Sequence, residues 1–394
     1  MATRVELEVT DSGFSFTLDD ATKGVLDNTT YTLSTGFRDV TDYVVAVSTS
    51  RGRNRDLEKF NAGSASVTLR NEARTFDPLN TSSPFVDEMV PRRLVRVFTD
   101  EIQQFQGLVD SWKLTYSPTG ESVAEITVTD EFQKLAGVEL DLAVSQQLTG
   151  ARVTAVLNDV GWPTYAREID TGQSTVASGT AVQGALEHLQ LVEASEAGLL
   201  FVGKDGNLIF RERNSFSSGY VPVVFADDGS GIPFTAAEVS YGTDLLFNQV
   251  EVAYSGGTAV ASNTSSQGKY GVITNSVETL LASAGAAQDF ASYYVGEYGE
   301  PEYRFSSIEV TLLGLSPTNQ GDVLQLEIGD LVQIKFTPNG VGSPIEKYAL
   351  VTSLDNDVTV DDHRIRVGVS SLDYLGLVLD DVALGILDNN VLAF

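Results

Sequence analysis

Short segments in which apolar and polar residues alternate recur along most of the chain, separated by Gly, Asn, Asp and Pro. In residues 64–70, Ala65, Val67 and Leu69 fall on one side and polar residues on the other, because successive side chains of a strand point to opposite faces. Each such segment would bury one face only. The pattern therefore predicts a mainly β protein built from antiparallel sheets.

The same alternation predicts further strands in both halves of the chain. They lie at residues 94–98, 105–114, 123–129, 308–312, 331–336, 348–354 and 363–369. Turn-forming residues separate them, as expected where consecutive strands pair in an antiparallel sheet.

Helical patterns interrupt the strands in the middle of the chain. Val153, Val156, Leu157 and Val160 recur at the spacing of one helix face, and Gly161 follows as a terminator. These residues predict a short amphipathic helix.

Two more helices follow. Thr180 and Gln183 fit a capping box, and Val182 and Leu189 continue an apolar stripe behind it. Another helical pattern covers residues 284–298. Between these helices, residues 199–210 predict a hairpin that turns at an Asp-Gly pair.

Together these patterns predict a fold class that is mainly β with α+β content. We expect two related β-barrel-like domains, with a small α+β module between them and extended terminal arms. The predicted boundaries are 1–40 for an N-terminal arm and strands, 41–144 for the first β domain, 145–225 for the α+β module, 226–375 for the second β domain with its inserted helix at about 284–298, and 376–394 for a C-terminal arm.

An internal similarity supports the idea of two related domains. Residues 94–97 (LVRV) resemble residues 331–334 (LVQI), and residues 107–111 (GLVDS) resemble residues 349–353 (ALVTS). Amphipathic strands also resemble one another without common origin, so this alternative stays open. If the likeness is real, a trimer would present six similar modules around a ring.

A second similarity links the two ends of the chain. Residues 18–28 (LDDATKGVLDN) and 379–389 (LDDVALGILDN) share most of their positions. We interpret both as terminal arms that dock on equivalent surfaces; a turn motif used twice is the alternative. The acidic residues of the arms are candidate assembly contacts: Asp19, Asp20, Asp27, Asp380, Asp381 and Asp388.

The composition excludes several functions. The chain has no cysteine and only two histidines, so disulfides, thiolate catalysis and histidine-rich metal sites are excluded. Its formal net charge of −29 argues against gripping nucleic acid, because neutralising phosphates requires Lys and Arg. A like-charged wall would instead repel a passing polymer. The sequence has neither a membrane-spanning apolar run nor a signal-peptide pattern, which predicts synthesis in a cytoplasm.

No residue cluster predicts catalysis or a cofactor. His188 lacks a nucleophile signature nearby, so a surface or partly buried histidine is the preferred interpretation. Asp355, Asp357, Asp361 and Asp362 around His363 could hold calcium, but their spacing favours a solvated turn. Adjacent acidic pairs arise by chance in so acidic a chain and do not predict a glycosidase.

Several motifs occur in an order that resembles a known family. These are the run Arg51-Gly52-Arg53-Asn54-Arg55, the segment 71–78 (NEARTFDP), Pro91-Arg92-Arg93, Gly161-Trp162-Pro163 and residues 196–201 (EAGLLF). In this order they resemble minor tail proteins, or tail-tip (baseplate) hub proteins, of actinobacterial siphophages. The resemblance spans most of the chain and is weakest from about 255 to 345.

The resemblance implies a non-enzymatic virion protein at the distal tail tip. It implies a homotrimeric hub that adapts a sixfold tail tube to a threefold tip and lines the exit channel for DNA, without a cofactor or metal. The implied partners are a distal tail protein, a tape measure protein and other tail-tip or receptor-binding proteins, with DNA only in transit and no membrane insertion.

Five residues of these motifs are candidate assembly contacts: Arg51, Arg53, Arg55, Phe76 and Asp77. In so acidic a chain the arginines are expected to form salt bridges to acidic neighbours or to a partner subunit.

The alternative function is a tail adhesin that binds or cleaves a host glycan. An adhesin would line an open cleft with aromatic side chains, and Trp112 and Trp162 are the residues that test it. Trp112 lies in an alternating strand and Trp162 precedes a proline, so both are expected to be packing residues.

Overall fold

A computed structural model of the chain describes residues 2–9, 21–22, 24–25, 36–53, 55, 57–86, 88–118, 120–213, 215 and 222–372. Its strands are β1 Thr3–Glu8, β2 Phe37–Asp39, β3 Val44–Gly52, β4 Asn61–Arg70, β5 Leu94–Thr99, β6 Ile102–Thr115, β7 Val123–Thr129, β8 Leu142–Val144, β9 Gln147–Leu148, β10 Arg167–Ile169, β11 Thr175–Val176, β12 Gly179–Ala181, β13 Leu199–Val202, β14 Leu208–Arg211, β15 Val223–Ala226, β16 Ala236–Tyr241, β17 Gln249–Tyr254, β18 Gly257–Ser262, β19 Thr274–Glu278, β20 Tyr303–Thr311, β21 Leu331–Phe336, β22 Ile345–Thr359 and β23 His363–Leu372. Its helices are α1 Phe132–Ala136, α2 Thr149–Asp159, α3 Ala185–Glu196, α4 Thr264–Tyr270, α5 Ala284–Tyr298 and α6 Pro317–Gln325.

The alternation of apolar and polar residues determines which face of each strand is buried. In β4, Ala65, Val67 and Leu69 are buried, as the sequence pattern predicts. The predicted strands at 94–98, 123–129 and 331–336 are confirmed as β5, β7 and β21 to within one residue. The protein is mainly β, as predicted.

Thirteen strands of the described residues form one large sheet. Its main path runs β16-β20-β23-β22-β3-β4-β7-β6-β5-β1-β2, and β21 joins β22 and carries β15 beside it. All neighbours are antiparallel except β15 and β21. Strands from both halves of the chain thus belong to the same sheet.

The prediction of barrel-like domains is wrong in one respect, because this path does not close on itself among the described residues. The physical reason is the pairing of β3 with β22. This pairing connects strands of the first half to strands of the second half instead of closing either set. The result is one open sheet rather than two closed barrels.

Separate apolar cores pack against the two halves of the sheet. The core of the first half includes Val67, Phe76 and Phe105, all fully buried. The core of the second half includes Phe305 and Val367, which are equally buried. Burying apolar surface of this kind is the main stabilising contribution to such a fold.

An α+β module follows the first half of the sheet. Helices α2 and α3 pack on the hairpin β13–β14, whose turn begins at Gly203 and contains Gly206 at a φ of +87°. Its core includes Val153, Leu189 and Phe210. The predicted helix near residue 150 and the predicted hairpin are both confirmed.

The start of α3 differs from the sequence prediction. The helix begins at Ala185 after Gly184, with no side-chain cap. Thr180 instead lies in β12, which pairs with β8, so its backbone is extended and the capping box does not form. Val182 is 71% exposed rather than part of the apolar stripe.

A further unit is inserted between β16 and β20. Strands β17, β18 and β19 form a small sheet under α5, with Val252 and Phe290 in its core. The side chain of Ser283 accepts a hydrogen bond from the Ala286 amide and so caps α5, which confirms the predicted helix at 284–298. In the part of the chain that the structure describes, no helix is long and apolar enough to cross a membrane.

Candidate assembly site

The strand order of the first half of the sheet is repeated in the second half. Strands β3-β4-β7-β6-β5 are consecutive neighbours, and so are β16-β20-β23-β22-β21. The strands also occur in the same chain order, since β3, β4, β5, β6 and β7 correspond to β16, β20, β21, β22 and β23. We call these two sets the first repeat and the second repeat.

The similar sequences occupy the same positions in the two repeats. Leu94 of β5 pairs with Leu108 of β6, and Leu331 of β21 pairs with Leu350 of β22. In the first repeat, the pair joins the first residue of segment 94–97 to the second residue of segment 107–111. In the second repeat, it joins the first residue of segment 331–334 to the second residue of segment 349–353. The sequence similarity thus coincides with an identical strand register.

The repeats also share an irregularity. A β-bulge interrupts the pairing of β6 with β7 after Val109, and another interrupts the pairing of β22 with β23 after Val351. The Val109 amide donates to Arg93 O at 2.8 Å, and the Val351 amide donates to Asp330 O at 2.9 Å. Bulges re-aim a strand at a fixed position, so the two long strands β6 and β22 bend at the same position.

Among the described residues, the strands of the first repeat pair with those of the second at one place. Strand β3 pairs with residues 353–359 of β22, from Ser353 opposite Gly52 to Thr359 opposite Ala46. We call this contact the repeat junction. It lies in the part of β22 that follows the bulge.

Polar side chains bridge the exposed face of the repeat junction. The Ser50 hydroxyl donates to Asp355 Oδ1 at 2.6 Å, and the Ser48 hydroxyl donates to Asp357 Oδ1 at 2.7 Å. On the other face, Val358 of β22 packs against the core of the first half. The junction is therefore apolar on one face and hydrogen-bonded on the other.

Gly52 permits close approach at one end of the junction. Its φ is +110°, and a Cβ at this position would lie 2.2 Å from the carbonyl oxygen of Thr352. Only glycine fits both conditions. The Arg53 amide continues the contact by donating to Thr352 O at 3.0 Å.

The three arginines of the predicted basic run have different environments. Arg51 is buried, and its Nη1 donates to Glu327 Oε1 at 2.8 Å, which makes a salt bridge within the chain. Burial alone would raise the pKa of Glu327, but the Arg51 charge and backbone hydrogen bonds lower it. The Arg53 guanidinium lies 5.1 Å from the Phe60 ring centroid, and Arg55 is exposed.

Phe76 and Asp77 are buried inside the first repeat. The Phe76 ring packs 5.0 Å from Phe85 and stacks 6.1 Å from Trp112, measured between centroids. Asp77 accepts a hydrogen bond from Tyr116 Oη at 2.7 Å, and this bond is the largest reason why the pKa of Asp77 is lowered. In the single chain, both side chains therefore hold the segment that follows β4 against the end of β6.

The six aspartates of the terminal arms, Asp19, Asp20, Asp27, Asp380, Asp381 and Asp388, lie outside the described residues. Their role as assembly contacts stays a prediction.

Two buried carboxyls lie near the contact of the first repeat with the α+β module. Asp130 accepts hydrogen bonds from the Gly63 amide at 2.6 Å and the Phe132 amide at 3.0 Å, and burial raises its pKa to about 7. Burial also raises the pKa of Glu193 on α3 to about 8, against the opposing charge of Arg53. Both carboxyls are almost completely shielded from solvent.

Both histidines are buried, and the pKa of each lies well below neutral pH. Burial lowers the pKa of His188 to about 4, and Arg152 Nη1 lies 3.5 Å from its Nε2. The sequence prediction of a surface or partly buried His188 underestimated its burial, because α2 covers this face of α3. Burial also lowers the pKa of His363 to about 4.

The aspartates around His363 serve other contacts. Asp355 and Asp357 accept from serines of the repeat junction, and Asp362 pairs with Arg364 at 2.6 Å. Among the described residues, no group of three or more His, Cys, Asp or Glu could hold a metal ion.

Both tryptophans pack against the chain itself. Trp112 stacks on Phe76, and Trp162 is buried with its Nε1 donating to Ala166 O at 2.9 Å. This is the arrangement predicted for packing residues rather than for the walls of a sugar cleft.

Sequence reasoning missed the residues that form the repeat junction. Ser48 and Ser50 belong to no motif, and Gly52 belongs to a motif interpreted only through its arginines. The expectation of a solvated turn is wrong for Asp355 and Asp357, because both lie within β22 and face β3. Their partners lie about 300 residues away in the sequence, and no local signal links them. The repeated LV-containing strands were the available signal, because they identify β6 and β22 as equivalent.

The fold is similar to three solved structures. The tail protein from Neisseria meningitidis MC58 has a TM-score of 0.61 and 11% identity, covering 94% of this chain and 96% of that chain. The 43 kDa tail protein of prophage MuSo2 from Shewanella oneidensis has a TM-score of 0.55 and 14% identity, with coverages of 84% and 93%. The E. coli c3393 protein has a TM-score of 0.50 and 9% identity, with coverages of 84% and 74%.

At these identities the similarity establishes the fold alone, so the chain has a fold found in bacteriophage tail proteins. The c3393 protein is described as a component of the type VI secretion system with structural similarity to the T4 bacteriophage tail proteins gp27 and gp5. No protein-family model and no curated protein sequence matches the chain. The finer prediction of an actinobacterial siphophage protein stays a prediction.

Proposed function

We propose that the chain is a structural protein of a bacteriophage tail that forms a trimeric hub at the distal end of the tail tube. The observation that carries this proposal is the repeated strand order of β3-β4-β7-β6-β5 and β16-β20-β23-β22-β21. A chain with two equivalent units gives six units in a trimer. Such a ring matches a sixfold tube on one side and a threefold tip on the other.

In this proposal the two repeats belong to two related hub domains, at residues 41–144 and 226–375. The α+β module at 145–225 and the insertion around α5 would lie outside the ring of strands. The hub would contact a distal tail protein, a tape measure protein and other tail-tip or receptor-binding proteins. It would work by its shape, without a reacting group of its own.

The net charge of −29 fits a conduit for DNA. Acidic side chains repel phosphates within a Debye length of about 10 Å at moderate salt, so DNA would pass without adhering. This supports a hub that lines the exit channel rather than a protein that packages or binds DNA.

Immunogold labelling of intact particles tests the proposal. Antibodies against the chain should label the distal end of the tail, with one cluster of gold per particle. Labelling along the whole tube, or at the head, would contradict a tip hub. Quantification of the chain against a head protein of known copy number should give three copies per particle.

A further inference from the structure

Within the two repeats, two strand edges have no strand partner among the described residues. One is the edge of β6 after the bulge, at residues 111–115, where β6 pairs only with β7. The other is β16, which pairs only with β20. Ser111, Lys113 and Thr115 are exposed, and Tyr241 at the end of β16 is 72% exposed. Unpaired edges of this kind are templates for adding a strand.

The repeat junction indicates which strand each free edge would pair with. In the second repeat, the part of β22 after its bulge corresponds to residues 111–115 of β6, and it pairs with β3. In the first repeat, β3 corresponds to β16. The single chain thus contains one complete junction and the two unoccupied halves of a second, equivalent junction.

The register of the second junction follows from the first. The pairing of β6 with β7 and of β22 with β23 makes Lys113 equivalent to Asp355. The pairing of β3 with β4 and of β16 with β20 makes Glu238 equivalent to Ser48. Beyond Glu238 a β-bulge places one extra residue, Ser306, on β20. Counting two residues onward along β16 and β3 themselves makes Ser240 equivalent to Ser50. Because Ser50 lies opposite Asp355, Ser240 should lie opposite Lys113.

The side chains on the two free edges suit this register. On one face, Trp112 and Leu114 of β6 would lie opposite Tyr241 and Val239 of β16. Trp112 and Leu114 already pack at the border of the first core, and Val239 packs at the border of the second. The pairing would therefore join two apolar cores, as Val358 does at the repeat junction.

The opposite face is polar and carries opposite charges. Lys113, which already pairs with Glu125 at 3.2 Å, would lie opposite Ser240 and diagonal to Glu238, which pairs with Arg366 at 2.6 Å. The two ion pairs would then lie side by side on this face. At the repeat junction this face carries the serine–aspartate hydrogen bonds. Both junctions thus have one apolar face and one polar face in the same order.

A glycine marks the same end of both junctions. Gly242 is equivalent to Gly52, and it would lie opposite Ser111 as Gly52 lies opposite Ser353. A Cβ at Gly52 would collide with β22, whereas a Cβ at Gly242 meets nothing within 4 Å in the single chain. The Cβ position of Gly242 therefore faces open space in the single chain, on the edge where the second strand would lie.

We propose that β16 of one chain pairs antiparallel with residues 111–115 of β6 in a second copy of this chain. The inference rests on the proposed trimeric hub and specifies how its subunits join. Repeat junctions within chains and these pairings between chains would alternate around the ring. Three chains would then close one ring of six repeats, in which neither β16 nor residues 111–115 of β6 is left without a partner.

Disulfide trapping in the full-length chain tests this pairing, because the natural sequence contains no cysteine. In the double variant Lys113→Cys/Ser240→Cys, the two thiols would lie directly opposite each other in neighbouring chains, close to the Cβ separation that a disulfide needs. Mild oxidation should convert most of the protein into covalent dimers and trimers on a non-reducing gel.

Two matched variants control this experiment. In Lys113→Cys/Ala236→Cys the second thiol lies on the same face of β16 but four residues away, about 13 Å along the strand, and covalent oligomers should be lost. In Ser50→Cys/Asp355→Cys the pair lies across the repeat junction, so oxidation should link the chain to itself without adding mass.

The mass of the unmodified chain in solution separates the two proposals. A trimer whose Lys113→Cys/Ser240→Cys variant forms no covalent oligomers would overturn the strand pairing and leave the trimeric hub standing. If the protein is a trimer and Lys113→Cys/Ala236→Cys crosslinks as well as Lys113→Cys/Ser240→Cys, the proposed register would also be overturned. A chain that stays monomeric at high concentration would overturn the hub and the pairing together.

Discussion

Ser50 and Asp355 lie directly opposite each other on two strands of one sheet, and the Ser50 hydroxyl donates a 2.6 Å hydrogen bond to the Asp355 carboxylate. The two residues are 305 positions apart in the sequence. Their contact joins the two repeats of the chain. The same contact supplies the register from which we infer the pairing between subunits.

The Ser50–Asp355 hydrogen bond should contribute measurably to the stability of the junction. In a double-mutant cycle with Ser50→Ala and Asp355→Ala, we expect a coupling energy of about 1 kcal/mol, because the acceptor is charged and partly buried. Urea unfolding of the four proteins gives this energy. The Ser48–Asp357 pair is the control. It is more exposed, so a coupling larger there than at Ser50–Asp355 would contradict the interpretation.

Arg51 should be important for stability and Arg55 should not. Arg51→Leu leaves Glu327 without the buried cation that holds its charge, so we expect a loss of about 3 kcal/mol in the free energy of unfolding. Arg55→Leu removes an exposed side chain and should change it by less than about 0.5 kcal/mol. Chemical denaturation of both variants measures the difference. Equal effects would show that the Arg51–Glu327 salt bridge is not structural.

Glu193 should make the protein less stable as the pH rises above neutral. Burial raises the pKa of Glu193 to about 8, so the folded chain holds a proton that the unfolded chain has already lost. Stability therefore falls as the pH passes through the folded pKa. Between pH 7.5 and 9, ionisation of Glu193 should lower the free energy of unfolding of the natural chain by about 1 kcal/mol. The Glu193→Gln variant should not show this decrease.

Thermal and urea unfolding at both pH values measure the effect of Glu193→Gln. Glu187→Gln is the control, since Glu187 lies on the same helix but is exposed. If Glu187→Gln removed as much pH dependence as Glu193→Gln, burial of Glu193 would not be the cause.

Gly242 should tolerate a side chain in the single chain but not in the assembly. We expect Gly242→Val to fold normally and to shift the protein from trimer to monomer, because the side chain would meet the neighbouring β6. Gly314→Val is the control, because Gly314 also has nothing within 4 Å of its Cβ position. Sedimentation velocity and circular dichroism measure assembly and folding. A trimeric, folded Gly242→Val protein would contradict the pairing.

Much of the fold could be predicted from local sequence patterns. Ala65, Val67 and Leu69 alternate with polar residues and are buried on one face, because strand periodicity is a local property. Helix α5, which ends at Tyr298, was predictable because helical periodicity is also a local property. The likeness of residues 94–97 and 331–334 also indicated which strands are equivalent.

The remaining features depend on contacts between residues far apart in the sequence. Pairing of β3 with β22 leaves the sheet open, and no local pattern favours that pairing over closure of a barrel. Thr180 and Gln183 fit a capping box locally, yet pairing of β12 with β8 holds Thr180 extended. Arg51 reads as a surface charge in the sequence, whereas its partner Glu327 lies 276 residues away.

The symmetry of the purified chain tests the central claim most directly. Cryo-electron microscopy of the full-length protein should give class averages of a closed, threefold ring, with six similar β units around a central opening and a mass about three times the 42.3 kDa of one chain. Particles that are single chains, or that grow into open filaments, would contradict the account.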